Sequence, residues 1–188
     1  NNTLQFKFDR ESGFIGAEVR SFYEDEKHRV WMGTYGHGIF VKEGQKVTSL
    51  QARQNCMLDA DAFCLVEDGM GYFYSTSNHG LWRIKKKSLF DFYEGKLSYL
   101  VPFYYGQEEG ILNTEFNGGF QNNYCKSKFE HFYFPNIEGV VMTVPEELVQ
   151  YKLSPQIEAI TVNDTLVTRS QMVFERNTSS IQFDFICT

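Results

Sequence analysis

The strongest constraint on this chain is that it repeats. The segment "VWMGTYGHGIF" (30–40) returns as "YFYSTSNHGLW" (72–82). Trp31 aligns with Phe73, Thr34 with Thr76, His37 with His79, Gly38 with Gly80 and Ile39 with Leu81, each pair 42 positions apart. Glu24-Asp25 aligns with Glu67-Asp68 at 43, because the first copy holds one extra turn residue. A more diverged copy, "EHFYFPNIEGVVMTVP" (130–145), places Phe132, Pro135 and Gly139 where Phe73, Thr76 and Gly80 stand. Its longer interval fits the insertion "YYGQEEGILNTEFNGG". A period near 42 with several short strands per copy is the length of a four-stranded propeller blade, a unit that buries its faces only by stacking on its neighbours.

Each copy divides accordingly. Inner strands are expected over 18–23 and 63–67, ending at acidic turns, and aromatic-bearing second strands over 29–34 and 72–76. Glycine turns lead to third strands at 38–41 and 80–84, and outer strands at 46–50 and 97–104 close the blades. The alternation in "VRSFYE" and "LSYLVPFY" has the period of two that a half-buried strand requires. Residues 88–95, "SLFDFYEG", read as a short helical turn inserted before the second outer strand. An aromatic share of 16% and only four prolines favour β structure throughout.

The repeat also decides how single residues are read. Trp31 and Phe73 are expected to fill the wedge between blades. Asp25 and Asp68 sit where an aspartate caps its own turn, so they are not read as a catalytic pair. Gly38 and Gly80 supply positive φ at a tight turn, and a phosphate loop is excluded because no helix follows. His37 and His79 occupy equivalent turns of neighbouring blades and are read as exposed turn residues, with no metal assigned between them. No catalytic residue and no cofactor is assigned.

A net charge of −6 argues against a nucleic-acid groove, which needs a clustered basic face. The basic run "RIKKK" (83–87) is expected to be a solvated hairpin. Cys56, Cys64, Cys125 and Cys187 have no zinc-type spacing and are too few for a disulfide scaffold. Cys64 is expected in the core, and a Cys56–Cys64 bridge stays open for an oxidising compartment. No apolar run approaches the roughly 20 residues of a membrane span. The chain starts in one apparent strand and stops in another, so it is expected to be a piece of a longer protein with unpaired blade edges.

After "TVPEEL" the pattern changes. Strands are expected at 156–162, near Met172 to Phe174, and at 180–186, with "VNDT" and "RNTSS" as turns. They read as the first strands of an immunoglobulin-like sandwich.

The segments "FYEDEKHRVWMGTYGHGIF" and "LVEDGMGYFYSTSNHGLWRI" resemble the two-component regulator propeller repeat, whose pattern runs roughly i-x-E-D-x-x-G-x-l-W-i-G-T-x-x-G-l. "GQEEGILNTEFNGGF" followed by "FYFPNIEGVVMTVPEEL" is similar to the last blade of such propellers. "PQIEAITVND" with "SIQFDFICT" is similar to the start of the triple-tyrosine (Y-Y-Y) domain that follows them. The chain departs at Phe73 and Ser75, where the pattern has Trp and Gly. The third copy lacks the E-D-x-x-G turn, and the naming tyrosines would lie beyond residue 188. The fold class so implied is all-β, with a partial β-propeller of four-stranded antiparallel blades over 1–150. The start of the Y-Y-Y sandwich takes 151–188.

The resemblance implies a periplasmic ligand-sensing fragment of a hybrid two-component protein, responding to oligosaccharides and signalling to a cytoplasmic histidine kinase. No kinase chemistry lies in this chain. An interaction scaffold, the sensor of a diguanylate cyclase and a secreted glycan-active enzyme are the competing readings. Strand alternation places "TYGHG", "TSNHG" and "PNIEG" on one face with "SGFIG", "LDADA" and "ILNTEFNGG". That face gathers Tyr35, His37, Asn78, His79, Asn117 and Asn136, a mixture of aromatics and amides suited to a sugar. Expected partners are an oligosaccharide, the rest of the propeller and sandwich, and a second copy of the sensor, with no nucleic acid. Leu153, Ser154 and Pro155 form the expected junction through which the sensor transmits its signal, stiffened by the proline.

Overall fold

The structure, a computed structural model, describes residues 11, 13–14, 18–145, 155–163, 165–167 and 178–187. Strands β1 (Glu18–Glu24), β2 (Val30–Tyr35), β3 (Ile39–Glu43) and β4 (Lys46–Ser49) form one antiparallel meander in sequence order. Strands β5 (Val66–Glu67), β6 (Tyr72–Thr76), β7 (Leu81–Lys85) and β8 (Phe103–Tyr105) form a second, with helix α1 (Lys86–Tyr93) between β7 and β8. A third sheet holds β9 (Cys125–Lys126), β10 (Phe132–Asn136) and β11 (Gly139–Thr143). These are the blades that the repeat predicts. The chain divides into two compact units, 1–146 and 147–188.

Packing follows the repeat. Trp31 and Phe73 are both buried in the same cluster, with Ile39, Val41, Trp82, Leu89 and Phe92. Trp31 stacks on Phe90 of the helix at 4.8 Å and 22°. Phe73 meets Tyr23 of the first blade edge-on at 4.7 Å. The next strand position, Met32, faces the other way into a cluster with Phe40 and Val47, so the first blade is apolar on both faces. A second wedge joins Phe63, Cys64, Tyr74 and Leu81 to Phe132 and Phe134 of the third blade. Each fully buried aliphatic or phenylalanine side chain contributes about 1.5–3 kcal/mol, so these wedges are what hold the blades together.

The details depart from expectation in three places, while Cys64 lies in the core as expected. Inner strand β5 spans Val66–Glu67 rather than 63–67, because Phe63 donates its N–H to Thr76 O (2.9 Å) outside a regular ladder. Outer strand β8 is likewise shorter than 97–104. Gly95 turns the chain out of the helix at φ +76°, and Leu100 pairs with Cys56 in an isolated parallel bridge. "RIKKK" is not a solvated hairpin: Arg83 and Ile84 are buried in β7. Lys86 opens the helix and reaches Glu26 (2.7 Å) and Glu67 (3.1 Å). Cys56 and Cys64 are both free, and Cys64 is fully buried, with its thiol pushed up to about 11 by burial.

The second unit is one sheet in the order β13-β12-β14, from β12 (Pro155–Val162), β13 (Thr165–Val167) and β14 (Ile181–Cys187). Two of its strands stand where the sequence places them. Asn163, at φ 46° after β12, accepts through Oδ1 from the N–H groups of Ser179 (2.9 Å) and Ser180 (3.1 Å), just ahead of β14. The strand expected near Met172 and the junction at Leu153 and Ser154 lie outside the described residues.

Candidate functional site

The meander puts the β2–β3 turn and the loop that links blades one and two on the same side. Their backbones interlock there. Gly38 donates to Ala60 O (2.5 Å), and Ala62 donates to Thr34 O (2.8 Å). Gly38 sits at φ +68°, and a Cβ there would run into the Gln51 side chain, so the turn glycine serves both dihedral and space. Gln51 itself accepts from Ile39 N (3.0 Å) and donates to Asp59 O (3.1 Å).

Asp61 is the hinge pin of this face. It is buried, accepting from Gly36 N of the first blade (2.8 Å) and from Asn78 Nδ2 of the second (2.8 Å). Asp59 caps Asp61 N at 3.0 Å and meets His79 Nδ1 at 2.9 Å. The ligating atoms of Asp59, Asp61 and His79 lie within 4.8 Å of one another. Beside them Tyr35 is 46% exposed, with its ring parallel to Phe63 at 6.1 Å and Arg20 over it at 5.7 Å. Exposed His37 leans back on Tyr35 O at 3.2 Å rather than toward His79.

Of the residues singled out from sequence, Tyr35, His37, Asn78 and His79 thus stand around one linking loop. Asn117 stands on the next inter-blade loop, its N–H on Pro135 O at 3.0 Å. Asn136 is buried and holds that loop by donating to Asn113 O (2.6 Å). Asp59 and Asp61 were not among the residues named from sequence. The signal for them is the "DAD" inside "LDADA", two acids at a spacing of two in a loop already assigned to this face.

The opposite face holds the blades by charge. Asp25 caps its turn through Oδ1 to Lys27 N (2.9 Å) and Arg29 N (3.0 Å), as the sequence predicts. Its Oδ2 also takes Arg29 Nε (2.6 Å) and Trp31 Nε1 (2.9 Å). Burial alone would raise the Asp25 carboxyl, but the indole and the Arg29 donors outweigh it and hold it below the usual range. Glu94, at the end of α1, takes Lys27, Lys96 and Arg29 and is pulled down to about 2 by them. A hollow of about 370 Å³ between Arg29, Lys46, Arg53 and Tyr93 borders this cluster. A larger cleft of about 760 Å³ lies between β1 and the third sheet, lined by Arg20, Phe22, Asn122, Tyr124, Tyr133 and Val140.

Residues 13–36 match the family profile of the two component regulator propeller. That stretch is similar to one two component regulator propeller repeat. The matched stretch covers β1, β2 and the turn that opens the candidate face. Over 155 residues the chain is 24% identical to histidine kinase P4 of Formosa agariphila, covering 81% of this chain and 10% of that protein. A solved extracellular domain of a putative hybrid two component system from B. thetaiotaomicron is similar at TM-score 0.58 and 18% identity. That match covers 90% of this chain and 23% of the solved one, and it carries the fold. The extracellular domain of a putative one component system from the same organism is similar at TM-score 0.46 and 14% identity, covering 85% of this chain and 18% of that one. The propeller chain therefore spans about a tenth of its curated relative and under a quarter of the solved domains. In fold it resembles the extracellular domain of that putative hybrid two component system. Among the described residues no helix is long and apolar enough to cross a membrane.

Proposed function

We propose that this chain is part of the periplasmic sensor of a hybrid two-component signalling protein, that its linking-loop face contacts an oligosaccharide, and that the signal passes to a cytoplasmic kinase. Residues 1–150 supply the last blades of the propeller, and 151–188 begin the Y-Y-Y domain. The observation that carries the reading is the exposed Tyr35 ring, backed by Phe63 and bordered within one loop system by His37, Asn78 and His79. A sugar ring needs an apolar platform with fixed polar groups beside it. Tyr35 is the platform, while Asp61 already orients Asn78 by taking one of its amide hydrogens. Asn117 lies on the neighbouring loop, where a longer oligosaccharide would reach it.

A glycan array on the intact extracellular region, followed by calorimetry on the best ligand, tests this. Tyr35→Ala is expected to weaken binding about tenfold, equal to about 1.4 kcal/mol, and Asn78→Ala to a similar degree. An array with no glycan bound sinks the saccharide reading. A bound glycan whose affinity neither substitution changes moves the site elsewhere.

A further inference from the structure

Asp59 and Asp61 pose a charge problem that their hydrogen bonds do not solve. The Asp59 side chain is 8% exposed and Asp61 is 5% exposed, with their oxygens inside a 4.8 Å cluster. Asp61 is satisfied by an amide N–H and the Asn78 side chain, both neutral donors. Asp59 takes a backbone N–H and the His79 ring. Among the described residues neither carboxylate forms an ion pair with a lysine or arginine; Asp59 meets the His79 ring, and the neighbouring Tyr104 phenol, raised chiefly by burial and next by the Asp59 charge, brings no positive charge. The contrast lies in the same blades: buried Asp25 has a guanidinium at 2.6 Å and Asp68 has one at 3.9 Å. Buried carboxylates are ordinarily paired with a cation or bound to a metal.

We propose that Asp59, Asp61 and His79 bind one divalent first-row transition ion, such as Zn²⁺, that joins the linking loop to the β6–β7 turn. The donor set is two carboxylates and one imidazole. Sites for calcium and magnesium are built from oxygen alone, whereas an imidazole beside carboxylates suits zinc and iron. Three protein ligands leave a position for water or an outside group, and His79, 73% exposed, stands at that open side. The imidazole comes from the second blade and the carboxylates from the loop that leaves the first, so the ion ties the two together. Binding only the folded arrangement, it raises the stability of the pair in proportion to its own saturation. This inference stands whether or not the face takes a saccharide.

Calorimetry of the full chain with zinc chloride is the test, with circular dichroism as a check on the fold. One saturable site is expected. His79→Ala changes an exposed side chain and leaves the fold in place. It is expected to weaken the site by at least about tenfold, as is Asp59→Asn. His37→Ala, at the equivalent turn of the first blade, is expected to bind like the parent. The proposal fails if zinc gives no saturable site, if binding survives His79→Ala, or if His37→Ala loses it equally. Calcium binding as tight as zinc overturns the choice of cation.

Discussion

The first and second blades are built from one sequence pattern, yet they treat their buried acid differently. In the first, Asp25 is fully engaged: both oxygens accept hydrogen bonds, two from backbone and two from Arg29 and Trp31 side chains. In the second, Asp68 caps its turn through Oδ1 to Met70 N and Tyr72 N, each at 2.8 Å, but Oδ2 is buried without a well-formed hydrogen bond. The aligned residue is Phe73 where the first blade has Trp31, so the indole donor is missing. Arg83 stands off at 3.9 Å and lies instead over Tyr72, at 4.0 Å from the ring centre. Asp68 still leaves its mark, because after burial its charge is among the causes that push the Tyr74 phenol up. The turn cap is therefore the part of the motif that both blades keep, and the indole–carboxylate–guanidinium cluster is an addition to it.

The sharpest way to break that comparison is to delete each acid. Asp25→Ala leaves a guanidinium that is 2% exposed with Glu94 as its remaining carboxylate. Removing one partner of a buried pair costs about 3–5 kcal/mol. Asp68→Ala is expected to cost about half as much, since it removes two turn hydrogen bonds and a distant ion pair. Denaturant midpoints of the two variants measure the difference. Equal losses would mean that the Trp31–Arg29 cluster adds nothing beyond the cap.

A second contrast concerns Gly33 and Ser75, which align in the repeat. A Cβ on Gly33 would fall 2.4 Å from Ala62 O and 2.5 Å from Ser21 Oγ, so the linking loop lies directly against β2. Ser75 is fully buried in the second blade and keeps its side chain there. Gly33→Ala is expected to cost about 1–3 kcal/mol by overpacking, and Ser75→Gly roughly 1 kcal/mol, as a glycine in a strand interior does. Thermal unfolding compares them. If Gly33→Ala unfolds like the parent, the close approach of the loop is not a constraint.

Trp31→Phe turns the first blade into a copy of the second at this position. It removes one hydrogen bond to a carboxylate and part of the stack on Phe90. A loss of about 1.5–3 kcal/mol is expected from the charged hydrogen bond. Calorimetric melting of the single variant and of Trp31→Phe combined with Asp25→Ala measures the coupling. Strictly additive losses would show that indole and carboxylate do not act together.

Much of this was readable in the residues because it is periodic. The spacing of 42 located the blades, the wedge roles of Trp31 and Phe73, and the turn roles of Asp25, Gly38 and Gly80. What escaped was whatever belongs to one blade only. "RIKKK" looks solvated by composition, yet Arg83 is buried because aromatic rings and an acid surround it in three dimensions. The shortened β8 follows from the helix inserted ahead of it, whose length no repeat dictates. On the candidate face, Tyr35, His37, Asn78 and His79 were legible as turn tips, whereas Asp59 and Asp61 align with Gly16 and Glu18 in the first copy, so the repeat does not carry their acid pair. Their role comes from tertiary closeness to Gly36 and His79, which spacing along the chain does not encode.

The smallest expected effect concerns pH and sharpens the comparison at the charged face. Glu94 belongs to the helix of the second blade but serves the first, through Lys27 and Arg29. Its carboxyl is lowered from an ordinary 4.5 to about 2 by hydrogen bonds from Lys27, Lys96 and Arg29. As pH falls, the unfolded chain takes up this proton before the folded one does. The stabilisation from Glu94 is therefore complete above about pH 4.5 and drains away as pH falls toward 2. Melting temperatures of the parent and Glu94→Gln across that window are expected to converge on acidification. The gap should also narrow in high salt, because Lys27 and Lys96 are mostly exposed. Parallel curves would place the acid sensitivity of the blade junction on Asp25 alone. Asp25 is likewise lowered and sits closer to the core, so the guanidinium of Arg29 would then answer to the first blade rather than to the helix of the second.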